Sequence, residues 1–171
     1  MKTKHLISSS HKKKLNNDKG VLISFPINEY KNIPYPNKAT SLNEVMFLNS
    51  LPTNSSLELI YDADRTLDYF NSELQEIGVY EDLKFDKKLK SLLKNIAPFI
   101  VELKHYFRRP RPSEIGKVNY VWLKSAQTPS YPSGHSTQSR FISLYLADKY
   151  PHLKKEILSI GDNVGISRIL A

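Results

Sequence analysis

A histidine delivered by a tight turn onto the start of a helix is the most pointed chemical feature of this chain: Ser130-Tyr131-Pro132-Ser133-Gly134-His135-Ser136. Pro132 and Gly134 shape a loop. The apolar run behind them (Phe141, Ile142, Leu144, Tyr145, Leu146) reads as a helix. A small hydroxyl, an uncovered glycine amide and an imidazole at a helix N-terminus suit an anion, because free N–H groups and the positive dipole end point there. Cationic residues flank the loop on both sides. Lys104 and Arg111 lie upstream in Lys104-His105-Tyr106-Phe107-Arg108-Arg109-Pro110-Arg111-Pro112, and Arg168 closes Gly161-Asp162-Asn163-Val164-Gly165-Ile166-Ser167-Arg168 downstream. The arginines can give planar, bidentate contacts to an oxyanion, with Lys104 as a compact charge. Phosphoryl transfer needs this set, since its charge is spread over three equatorial oxygens.

Any one of these features would fit an ordinary capping turn or a solvated basic surface; their order and spacing say more. Lys-x6-Arg-Pro, then Pro-Ser-Gly-His, then Ser-Arg resembles the signature of the type 2 phosphatidic acid phosphatase superfamily, which includes bacterial non-specific acid phosphatases and vanadium haloperoxidases. The similarity runs from Lys104 to the last residue. It implies an all-α bundle of the acid phosphatase/vanadium haloperoxidase type, with the site at one end of a helical core. It implies phosphate binding by Lys104, Arg111, Ser133, Gly134 and Arg168, and makes His135 the general acid that protonates the departing alkoxide. It also implies a metal-independent hydrolysis of phosphoric monoesters through a phosphohistidine, with no cofactor. The family's third motif continues Ser-Arg-x5-His-x3-Asp. That spacing puts the nucleophilic histidine and its orienting aspartate past Ala171, so the printed chain is expected to turn over very slowly. Two other readings share the motifs: a catalytically dead phosphate-binding remnant, and a haloperoxidase holding vanadate.

Composition sets the frame. The 171 residues are most simply a basic, disordered tail over 1–20 and one helical domain over 21–171, incomplete at its C-terminal end. The formal charge is +8, but residues 1–20 hold six lysines and one aspartate, a net of +5, which leaves +3 for the rest. The excess is a solvated tail with at most a weak contact to an anionic membrane surface. No apolar run approaches the roughly 18–20 residues that cross a bilayer. There is no signal-peptide core and no cysteine, which together favour the cytoplasm. No nucleic acid partner is expected, since the tyrosines fit core and loop positions. A shortened core is expected to favour self-association. His5, His11, His105 and His152 lack the context of a site.

The elements that position the motifs can be laid out by periodicity. Gly20 to Pro36 reads as an extended arm. Ser41-Leu42-Asn43-Glu44 has capping-box spacing and opens a helix to Asn49, which Pro52 ends. Leu59, Ile60, Ala63, Leu67, Phe70, Leu74 and Ile77 predict one helix from Ser56 to Ile77, stopped by Gly78. Asp86 caps the next, whose stripe runs from Leu89 to Phe107 with a kink or break at Pro98. A loop over Arg109–Gln127, a helix from Gly134 to Lys149 and a last one from Pro151 complete an all-α chain.

Overall fold

The computed structural model of the chain describes residues 25–34, 36–51, 57–79, 83–119, 123 and 125–170. Every regular element among them is a helix: α1 (Ile27–Lys31), α2 (Lys38–Ser50), α3 (Leu57–Ala63), α4 (Thr66–Glu76), α5 (Leu83–Phe107), α6 (Pro112–Ile115), α7 (Gly134–Lys149) and α8 (Lys154–Leu170), with a 3-10 turn over Pro151–Leu153 before the last. The basic tail, the start of the proposed arm and Pro52 lie outside the described residues.

Several boundaries follow the chemistry of single residues. The expected extended arm contains α1, because Pro26 stands at its N-cap, where no intrahelical N–H bond is lost. Helix α2 starts earlier than the capping-box spacing implies. Its cap is Asn37, whose side chain accepts from Thr40 N at 2.9 Å, and Ser41 is buried one turn inside. Asp86 likewise falls within α5 rather than at its start, and α5 passes through Pro98 without ending. Gly78 stops α4 as expected. At φ 81° it lets its own N–H reach Gln75 O and the Val79 N–H reach Leu74 O, closing two orphan carbonyls at the helix end. The 109–127 loop contains α6, with Pro112 at its first position.

The predicted helix over 56–77 is two helices, α3 and α4, interrupted at Asp64 and Arg65. The apolar stripe continues across the break, which is why periodicity alone joins them. Aspartate and threonine are weak helix formers, and Asp64 makes tertiary bonds (below) that a helical position would deny it.

The chain divides into two compact units, residues 1–53 with 95–133 and residues 54–94 with 134–171. In the first, Val45, Phe99, Ile100, Val101, Phe107 and Leu123 are buried. Phe25 packs edge-on against Phe99 with centroids 4.8 Å apart. Lys31 pairs with Glu102 at 2.7 Å, and Arg109 pairs with Glu44. Asn49 ties α2 to the segment after α6, donating to Lys117 O at 2.8 Å and accepting from Asn119 N at 2.9 Å.

The second unit is built on α7 packed along α8, with α3 and α4 against them. Its core holds Ala63, Phe70, Leu74, Leu89, Ile142, Leu146, Ile157 and Val164. Leu144, part of the apolar run in the sequence, is half exposed instead. The α7–α8 seam is made of small residues: Ser139, Ser143 and Gly161 are all buried and meet across it. Ser139 Oγ lies 3.1 Å from both Ser136 O and Gly161 O, and Ser143 Oγ donates to Arg140 O at 3.0 Å. Serine hydroxyls that satisfy themselves on backbone carbonyls let two helices approach closely. No described helix is long and apolar enough to cross a membrane.

The seam makes a sharp expectation. A Cβ at Gly161 would sit 2.5 Å from Ser143 Oγ and 2.9 Å from Ser143 Cβ, whereas one at Gly165 would meet nothing within 4 Å. Gly161→Ala should therefore destabilise by about 1–3 kcal/mol through overpacking. Gly165→Ala, on the same helix, should be neutral or stabilising by up to about 1 kcal/mol. Urea denaturation of both variants checks the pair.

Candidate functional site

The six residues singled out by the motifs fall on both sides of the division: Lys104, Arg111 and Ser133 in the first unit, Gly134, His135 and Arg168 in the second. Each group has its own local order.

In the first unit, α5 ends on Lys104 to Phe107, and Arg108 at φ 48° turns the chain out of the helix. A non-glycine residue in that left-handed region costs about 1–2 kcal/mol. The turn leads to Arg109, Pro110 and Arg111. Lys104 is 6% exposed, and its ammonium donates to Pro129 O at 2.5 Å. Arg111, at the N-cap of α6, donates from Nε to Thr128 O at 2.8 Å, while its backbone N–H donates to Glu114 Oε2 at 2.8 Å. In return Ser130 donates its N–H to Arg109 O at 3.0 Å and its hydroxyl to Pro110 O at 2.8 Å. Tyr131 stacks edge-on with Phe107, centroids 5.0 Å apart, and the Tyr131–Pro132 peptide is cis. The first motif thus grips the loop that ends in Ser133 by both of its cations. His105 lies beside this segment; burial, then Arg108 and Lys104, push its pKa below the ordinary 6.5, so it favours the neutral form.

In the second unit, Gly134 opens α7 and His135 is its second residue. His135 Nε2 lies 3.2 Å from the backbone oxygen of Asp64 and 3.5 Å from its Oδ1. Opposite two acceptors, that nitrogen must carry a proton to bond at all. Arg168, in the last turn of α8, meets the same aspartate: Nη1 donates to Asp64 Oδ1 at 2.8 Å and Nη2 to Ile60 O at 2.8 Å. Its Nε donates to Ser167 Oγ at 3.1 Å, and that hydroxyl donates to Val164 O at 2.7 Å. The guanidinium is therefore held on three edges. Its side chain is 10% exposed. Burial pulls its pKa down and Asp64 pushes it back up, and a guanidinium stays charged under such opposing influences.

Asp64 is the residue that the sequence motifs do not reveal. It sits in the break between α3 and α4, which the unbroken apolar stripe conceals. In the sequence it is one acidic residue among Asp62, Asp64 and Asp68, with nothing to distinguish it. The second unit also has a cavity of about 270 Å3 beside His135. Among the described residues no three histidine, aspartate or glutamate side chains gather as a metal site would require.

No family model, no curated protein and no solved structure matches this chain.

Removing Asp64 would leave a mostly buried guanidinium without its counter-charge. A fully buried pair broken on one side loses about 3–5 kcal/mol. Asp64 is 24% exposed, so partial solvation should reduce the loss for Asp64→Ala to about 1–3 kcal/mol. Thermal or urea melts of Asp64→Ala, Arg168→Ala and the double variant check this. The double variant should lose less than the sum of the two single losses.

Proposed function

We propose that this chain carries the phosphate-handling residues of a metal-independent phosphatase of the type 2 phosphatidic acid phosphatase kind, acting on phosphoric monoesters. The observation that carries the proposal is a double convergence. Two residues picked out by separate motifs, His135 and Arg168, meet on one aspartate within the second unit. Within the first, Lys104 and Arg111 bind adjacent carbonyls of a single loop. Motif residues scattered over a basic surface would show neither. The acid phosphatase type of helical bundle belongs to the same proposal.

In this reading the resemblance assigns the phosphoryl oxygens to Arg111, Arg168 and Lys104, with Ser133 and the Gly134 amide as neutral donors. The reading takes its nucleophile from the resemblance, a histidine of the continued third motif outside the printed residues. A nitrogen–phosphorus bond forms as the ester P–O bond breaks, and the proton of His135 goes to the departing oxygen to give the free alcohol. Water then attacks the phosphohistidine and releases phosphate, with His135 accepting the water proton. Asp64 keeps the Arg168 guanidinium and the His135 ring in place for these steps.

Inorganic phosphate and orthovanadate should each raise the melting temperature in chelated, metal-free buffer, by mass action on the folded state. Arg111→Ala and Arg168→Lys should each weaken phosphate binding about tenfold to a hundredfold, as the loss of charge-assisted hydrogen bonds implies. A shift that requires a divalent cation and survives both substitutions would overturn the proposal.

A further inference from the structure

The cavity of about 270 Å3 lies wholly within the second unit, bordered by Asp64, Thr66, Leu67, Asp68, Leu93 and His135. Its charges are unevenly settled. Asp64 is bound to Arg168 at 2.8 Å, and Arg65 next to it leans on Asp62 at 3.7 Å. The Thr66 hydroxyl donates to Ala63 O at 3.3 Å. Asp68 is different: exposed, in the first turn of α4, it has no ion pair among the described residues. Leu67 and Leu93 give the cavity a short apolar wall, and Gln138 adds a neutral amide.

We propose that this cavity receives the alcohol part of the substrate, and that Asp68 selects phosphate esters whose alcohol bears an ammonium group, an aminoalkyl phosphate. The inference rests on the function proposed above. There, His135 protonates the ester oxygen, so the alcohol begins at the imidazole, and the imidazole lines this cavity. The volume is below the roughly 300–1,000 Å3 that drug-sized ligands occupy, which suits an alcohol of a few carbons. An alkyl chain of two or three carbons lies against Leu67 and Leu93, and its ammonium faces Asp68. The same carboxylate repels an alcohol that carries a carboxylate of its own.

Isothermal titration of the full chain in chelated buffer tests this with four probes: inorganic phosphate, phosphoethanolamine, glycerol phosphate and phosphoglycolate. Phosphoethanolamine should bind about twofold to fivefold tighter than glycerol phosphate, the range of a solvent-exposed charge pair, and phosphoglycolate should bind weakest. Asp68→Asn should erase the preference for the amine and leave inorganic phosphate unchanged, while Asp68→Glu keeps it. Equal affinities for the three esters, or a preference that survives Asp68→Asn, would overturn this inference while phosphate binding still upholds the function. No binding of inorganic phosphate would overturn both.

Discussion

A guanidinium taken out of water needs an acid, and that requirement organises the second unit. Arg168 is carried into the interior by the last turn of α8, where Val164 and Ser167 are buried. The acid it meets, Asp64, is available because the helix that would have run from 57 to 76 breaks there. The break turns the Asp64 carboxylate to Arg168, and its backbone oxygen and Oδ1 toward His135. The Ile60 carbonyl, one turn earlier on α3, takes the second edge of the guanidinium. Residues from α3, α7 and α8 thus meet around Asp64 and the guanidinium it holds. The small-residue seam between α7 and α8 supplies the closeness that this arrangement needs.

The first unit poses a similar problem at Lys104. Lys104 is nearly fully buried, and a bare ammonium there would be expensive. The Pro129 carbonyl receives it, as the Thr128 carbonyl receives Arg111. Among the described contacts, Arg168 in the second unit meets a carboxylate, whereas Lys104 and Arg111 in the first meet peptide oxygens.

Much of this was legible in the sequence, and the rest was hidden for identifiable reasons. The helix from Gly134 to Lys149 and the stop at Gly78 followed from a turn residue beside an apolar run, which are local signals. The three motifs named Lys104, Arg111, His135 and Arg168 because charge types at fixed spacing are visible in a string. Asp64 was invisible, because the break that exposes it leaves the apolar period intact and its partners are far along the chain. The cap at Asn37 is hidden behind Ser41 for a related reason. Both residues can cap, and burial of Ser41 against the unit's interior, a tertiary effect, decides between them. The short helix α1 is hidden in the sequence because a proline reads as a helix breaker, although a proline at the start of a helix breaks nothing.

The central claim is that Asp64 holds Arg168 and His135 together as one set in the second unit. The direct measurement is a phosphate titration of the full chain in chelated buffer, followed by NMR on the Arg168 Nε–Hε and His135 ring resonances. The expected result is that the two residues shift along one saturation curve with a single dissociation constant. No shift at either residue, or two residues saturating at different phosphate concentrations, would contradict it.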